Sequence, residues 1–217
     1  MSEARLGSRP IRNITISREY GSGGGLIAEI LARRLGWRTI DDPLIARISE
    51  ALHASPEDVQ CHDETVDPWF QRMMKVFWRG GFEGAMSRPE AEPVDADSIE
   101  ALWNRAIVEA AEAGASISVG RGGQCLLRSR PDTFHVCVYA PMSEKVERLR
   151  EHLPGVADLR AVAIDRDRRR KEYMRHYFNV EWRDPHLYDL MISSSIGLER
   201  VADIVMAASG LAAQAAS

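Results

Sequence analysis

Residues 16–36 read "ISREYGSGGGLIAEILARRLG". The stretch opens on the end of an apolar run and passes glycines at positions 21, 23, 24 and 25. It closes with Leu26, Ile27, Ile30, Leu31 and Leu35 at helical spacing before Gly36. Just upstream, "IRNITI" at 11–16 carries β-branched residues with the two-residue period of a strand. Strand, glycine loop and helix thus follow one another. Such a loop turns several backbone N–H groups into one concavity at the positive end of a helix dipole, which makes an anion cradle. Glycine suits it because a Cβ would hold phosphate oxygens away and because some positions need positive φ.

The spacing fits neither familiar glycine pattern. A dinucleotide loop, G-x-G-x-x-G counted from Gly21, places its last glycine at Leu26. A phosphate-transfer loop, G-x-x-x-x-G-K-[ST], places Arg18 at its first position, Gly23 at the next glycine, Gly24 at the lysine and Gly25 at the hydroxyl. The cradle therefore lacks its usual cation.

Further along, "WRTI" at 37–40 reads as a short extended piece, and "DDP" leads into a helical pattern with Asp42 as N-cap and Pro43 at the first helical position. Asp41 faces the same junction. Residues 65–97 differ in composition: "WFQRMMKVFW" at 69–78 reads as an aromatic helix and "SRPEAEPVDAD" as a proline-bearing acidic connection. The aromatic segment at 66–86 offers a surface for a homodimer. Beyond it, a helix from Asp97 ends at Gly114, and "ASISVG" and "TFHVCVYA" read as buried strands separated by the loop and short turn "RGGQCLLRSRPD". Helices from Ser143 to about Leu153 and from about Val156 to Phe178 follow. A strand at "LMISS" and a terminal helix over 197–214 complete the chain. Strands alternating with helices predict an α/β fold, a parallel sheet with helices on both faces.

Composition narrows the function classes. The 217 residues carry 28 Lys and Arg against 32 Asp and Glu, a formal net charge of -4. No global positive field is available for nucleic acid or an anionic membrane, so an anion site must be built locally. Three cysteines without metal-ligand spacing, Cys61, Cys125 and Cys137, fit reduced thiols. No apolar run reaches the length of a membrane span, and "MSEARLGSRP" lacks the apolar core of a secretion signal. These features predict a cytoplasmic protein that binds neither nucleic acid nor membrane. His135, inside an apolar strand, reads as a core histidine.

The local anion site has a second candidate component, "AIDRDRRRKEYMRHYF" at 163–178, with Arg166, Arg168, Arg169, Arg170, Lys171 and Arg175 inside ten positions. On a helix 166, 169 and 170 share one face, while 168, 171 and 175 share another. Planar guanidinium forks suit phosphate oxygens.

In this order the pieces resemble the cytidylate kinase-like family, a branch of the P-loop nucleoside monophosphate kinases, over about residues 11–206. "ISREYGSGG" at 16–24 looks like that branch's own P-loop variant. "SVGRGGQCLLRSRPDTFHVCVYAPMSEKVERL" at 118–149 is similar to the family's G-R-[DG] segment with the strand and helix after it. "DRDRRR" at 165–170 sits where the arginine-rich lid lies, and "YDLMISSS" at 188–195 resembles the last strand. The resemblance implies a single kinase-like domain with a five-stranded parallel sheet. Its core would be 11–40, 98–155 and 186–213, its helical acceptor subdomain 41–97, and its lid 156–185. It implies transfer of the ATP γ-phosphoryl to CMP, dCMP or a related small nucleotide, with Mg²⁺ bridging the phosphates. Gly21, Ser22, Gly23, Gly24 and Gly25 would supply the cradle, Arg121 the hold on the acceptor together with Asp41, and Arg166, Arg168 and Arg170 the closing cations. Arg18 stands as the substitute for the absent lysine, and Ser22 or Ser17 as a metal-side hydroxyl. Two other outcomes follow from the altered loop: a nucleotide-binding relative with little or no activity, or a kinase for a different small acceptor.

Overall fold

The computed structural model describes residues 10–40 and 96–213. The aromatic segment, Asp41 and most of the expected acceptor subdomain at 41–97 lie outside the described residues, and the homodimer assigned to 66–86 lies there too.

The alternation expected from the sequence is realised. Strand β1 (Asn13–Arg18) leads through the glycine loop into α1 (Gly24–Leu35), and β2 (Arg38–Ile40) follows. After the undescribed stretch come α2 (Ala96–Ala113), β3 (Ser116–Val119), the single turn α3 (Gly123–Leu126) and β4 (Thr133–Tyr139). Then come α4 (Met142–His152), α5 (Leu159–Phe178), β5 (Leu190–Ser193) and α6 (Leu198–Ala208). The five strands form one sheet in the order β2-β3-β1-β4-β5, with every neighbouring pair parallel. β1, which delivers the glycine loop, is therefore the central strand.

The strands divide their residues between two unlike faces. Ile14 and Ile16 pair in register with Ile117 and Val119 on one side and with Phe134 and Val136 on the other. Together with Ile27, Leu31, Val201 and Val205 from α1 and α6 they form the main apolar core. Side chains alternate across a strand, so Asn13, Thr15 and Ser17 point the opposite way. They sit in register with Ser116 and Ser118 of β3 and with Thr133, His135 and Cys137 of β4. This face is also buried, and Asn13, Thr15, Ser116 and His135 find hydrogen-bond partners on or beside it. Asn13 Nδ2 donates to Ala111 O at 3.1 Å, Ser116 Oγ donates to Asn13 Oδ1 at 2.9 Å, and Thr15 Oγ1 lies 2.8 Å from His135 Nδ1. His135 is the buried core residue its strand context predicts, and its backbone N–H donates to Asp189 Oδ2 at 2.8 Å.

Element ends differ from the sequence reading in three places. α5 starts at Leu159 rather than near Val156, because the Asp158 carboxylate caps it by accepting from Ala161 N at 2.8 Å. The terminal helix stops at Ala208, since Gly210 takes φ +75° and turns the chain into a short 3-10 turn, Leu211–Ala213. "GQCL", expected inside a loop, closes one helical turn as α3.

Candidate active site

The C-terminal ends of β1 and β3 face α5 across a cavity of about 240 Å³. Ligand crevices in parallel α/β sheets form at this end of the strands. Five arginines line the cavity: Arg18 from the end of β1, Arg121 from the turn after β3, and Arg166, Arg169 and Arg170 from α5. Ser17, Gly120, Gly122, Gln124, Tyr173, Met174 and Trp182 complete the wall. A net acidic protein has gathered guanidinium groups at one place, and among the described residues no carboxylate lines it.

Four of these arginines have named contacts that orient them. Arg121 has φ +51°, between Gly120 at +78° and Gly122 at +67°. A left-handed non-glycine residue is strained, and such strain persists where the surroundings fix a functional side chain. Its guanidinium lies 4.9 Å from the Trp103 ring centre, a contact that fixes the plane of the fork. Arg170 donates through NH1 to Arg18 O at 2.6 Å and lies 5.5 Å from the Trp182 ring centre. Arg166 lies 5.8 Å from the ring centre of Tyr20. Arg169 Nε donates to Asp165 Oδ2 at 2.7 Å. Tyr173 donates its hydroxyl proton to the buried Glu100 carboxylate. Burial raises the Glu100 pKa, opposed by the Tyr173 hydrogen bond and by Arg121, and burial likewise raises that of Tyr173, with Glu100 adding to the shift.

A buried ionic knot fixes α5 to the glycine loop. Lys145 of α4, almost fully buried, bonds through Nζ to Asp167 Oδ2 at 2.6 Å and to Glu19 Oε2 at 3.3 Å. Asp167 Oδ1 accepts from Tyr20 N at 2.7 Å, and Glu19 Oε1 accepts from Arg183 NH2 at 2.5 Å. Below it, Trp182 Nε1 donates to Ser17 Oγ at 2.8 Å, and Tyr188 OH donates to Trp182 O at 2.7 Å. The arginine segment is thus bonded to main-chain atoms on both sides of the loop entry.

The structure brings Arg18, Arg121, Arg166 and Arg170 together, as the sequence reading grouped them. Arg168 stands apart: it pairs with Asp165 at 2.7 Å and Glu172 at 2.9 Å on the exposed side of α5 and does not line the cavity. Arg169 and Tyr173 line it instead, and the helical spacing 166, 169, 170, 173 was the signal that marks them. Gly21 to Gly25 form the adjoining loop and helix start and do not line this cavity. A Cβ at Gly21 would come within 2.9 Å of Lys145 O, and one at Gly23 within 2.8 Å of Leu198 Cδ2, so α4 and α6 pack directly on the loop backbone.

Both serines expected on the metal side have protein partners. Ser22 is fully buried and donates its hydroxyl to Glu19 O at 2.8 Å, and Ser17 Oγ accepts from Trp182 and lies 3.2 Å from Tyr188 OH. Among the described residues no group of three or more His, Cys, Asp or Glu side chains could hold a metal ion. An anion with several oxygens does fit, because the donors converge from three chain segments.

Sheet order and the strand–glycine loop–helix unit define an α/β protein built on a five-stranded parallel sheet. A model described as the cytidylate kinase-like family matches residues 13–196, and the chain belongs to that family. Among solved structures, an uncharacterized protein from Eubacterium ventriosum superposes with a TM-score of 0.63 at 19% identity, over 91% of this chain and 98% of that one. A shikimate kinase from Bacteroides thetaiotaomicron aligns over 90% of this chain and 96% of its own, at 15% identity and a TM-score of 0.49. A gluconokinase from Sinorhizobium meliloti aligns over 93% of this chain and 94% of its own, at 18% identity and a TM-score of 0.46. At such identities the likeness is one of fold. No curated protein matches the chain. No described helix is long and apolar enough to cross a membrane.

Proposed function

We propose that the protein transfers the γ-phosphoryl group of ATP to a nucleoside monophosphate, with CMP or dCMP as the acceptor. The observation that carries this reading is the convergence of Arg18, Arg121, Arg166, Arg169 and Arg170 on one cavity beside a glycine loop. Phosphoryl transfer asks little covalent chemistry of a protein; it needs two polyanions aligned and the charge on the transferring group neutralised. ATP supplies the phosphoryl group and arrives as its magnesium complex. Membership of the cytidylate kinase-like family supports the nucleotide acceptor.

The residues divide the work by position. Arg121, held by its strained turn and Trp103, faces the acceptor side and binds its phosphate. Arg166, Arg169 and Arg170, on one face of α5, neutralise the oxygens of the group in transit. An oxygen of the acceptor phosphate forms the new bond to phosphorus while the bond to the leaving ADP oxygen breaks, and ADP keeps that electron pair. The acceptor is already ionised at neutral pH, so no general base is needed.

The test is ADP release with Mg²⁺-ATP against CMP, dCMP, UMP, AMP and no acceptor. Turnover that depends on CMP or dCMP supports the reading. Turnover with another small acceptor moves the specificity, and ATP binding without turnover on any acceptor marks an inactive relative.

A further inference from the structure

Gly24 stands at the position of the P-loop lysine, yet its φ is not in the left-handed region, so its backbone does not require glycine. The reason lies in Arg18. A Cβ at residue 24 would sit 2.5 Å from Arg18 Cβ and 3.0 Å from Arg18 Cγ, closer than real side chains approach. At the far end of the same side chain, a Cβ on Gly120 would overlap Arg18 NH1. The arginine therefore runs in a trough with Gly24 at its root and Gly120 near its tip, and it ends in the arginine-lined cavity. A lysine at 24 and this placement of Arg18 exclude one another.

We infer that Arg18 is the phosphate-contacting cation of this loop, installed in the space a P-loop lysine would need, with Gly24 and Gly120 kept small to admit it. The inference rests on the phosphoryl-transfer reading above and adds the residue that makes the altered loop competent. Among the described residues Lys145 and Arg148 also pack against the loop, but the Lys145 ammonium is bonded to Asp167 and Glu19, Arg148 donates to Gly21 O at 3.3 Å and to Glu144 at 3.1 Å, and neither lines the cavity. A guanidinium stays charged at all working pH and offers a planar fork to phosphate oxygens, so it serves as an electrostatic donor and transfers no proton.

The test compares wild type, Arg18→Ala, Arg18→Lys and a swap carrying Arg18→Gly with Gly24→Lys. Calorimetric affinities for ATP and ADP are read alongside turnover, with circular dichroism to confirm folding. Loss of Arg18 should lower turnover by ~10²–10³-fold, the range found on removing one preorganised donor. It should also weaken ATP about tenfold or more while changing ADP less, collapsing the ATP-to-ADP affinity ratio, which a merely structural role would not move. The swap, with its lysine back at position 24, should recover part of both. If Arg18→Ala does not fold, the swap and Arg18→Lys decide by the same ratio. An active wild type whose Arg18 variants keep both the ratio and the turnover overturns the inference and leaves the kinase reading standing. A wild type that does not bind ATP overturns both.

Discussion

Arg168 and Arg170 lie two positions apart on one helix and face different worlds. Arg170 reaches the main chain of the loop at Arg18 O and stacks over Trp182, whereas Arg168 is spanned by Asp165 and Glu172 in solvent. Arg170→Ala should lower turnover by ~10²–10³-fold. Arg168→Ala should leave turnover within about threefold and the melting midpoint unmoved, because exposed ion pairs contribute little; steady-state kinetics on both variants checks this. The thiols give a second prediction. Burial pushes Cys137 from 9.0 up to about 12, with Glu19 adding to the shift, and burial pushes Cys125 up to about 11. Thiolate is the reactive form, so at about pH 8 neither should take iodoacetamide in the native protein, and both should in denaturant. The sign for stability follows: the unfolded Cys137 thiol sheds its proton near 9.0 and the folded one near 12, so its contribution is full below pH 9 and is lost as pH rises through that window. At this scale the sequence led to the helix that lines the cavity and to one arginine, Arg168, that does not line it. The grouping of 166, 169 and 170 on one face was readable from the 3.6-residue period, and the choice of Arg168 followed the family likeness instead.

The segment expected as a lid packs, in this structure, against α4 and the loop. Leu159 and Ala163 of α5 pack with Leu149 of α4, and the polar ties Lys145–Asp167, Tyr20 N–Asp167 and Arg170–Arg18 O run to the loop itself. Removing one partner from a buried pair leaves a charge uncompensated, so Lys145→Met should cost about 3–5 kcal/mol, read by urea unfolding. Asp167→Asn in that background should restore part of it. The Tyr20 amide reports the same tie locally: its hydrogen exchange should be slow in the wild type and fast in Asp167→Ala. None of this was legible beforehand. Glu19, Lys145 and Asp167 are separated by 126 and 22 positions in their pairings, and a lone lysine in a charge-rich helix carries no sequence mark of burial.

For the whole molecule, the order of elements was legible because glycine and proline punctuate it and because the strands carry compact runs of β-branched and aromatic residues. The two-faced character of the sheet was also written in the two-residue period. "NITIS" places Asn13, Thr15 and Ser17 opposite Ile14 and Ile16, yet only the strand register shows that the polar set meets Ser118, His135 and Cys137 in a second buried layer. The apolar layer holds the fold: Leu31 is fully buried between α1 and the sheet, and Leu31→Ala should cost ~2–5 kcal/mol in urea unfolding. That layer fixes β1 at the centre of the sheet, and so fixes where the glycine loop and Arg18 emerge beside Arg121 and α5.

The central claim is that this cleft moves a phosphoryl group, and the most direct measurement follows the group itself. With ATP labelled at the γ-phosphate, and CMP or dCMP present, the account predicts label on the acceptor's new terminal phosphate, at a rate lowered by ~10²-fold in Arg170→Ala. Label that stays on ATP, or leaves only as inorganic phosphate, while ATP binds normally would contradict it.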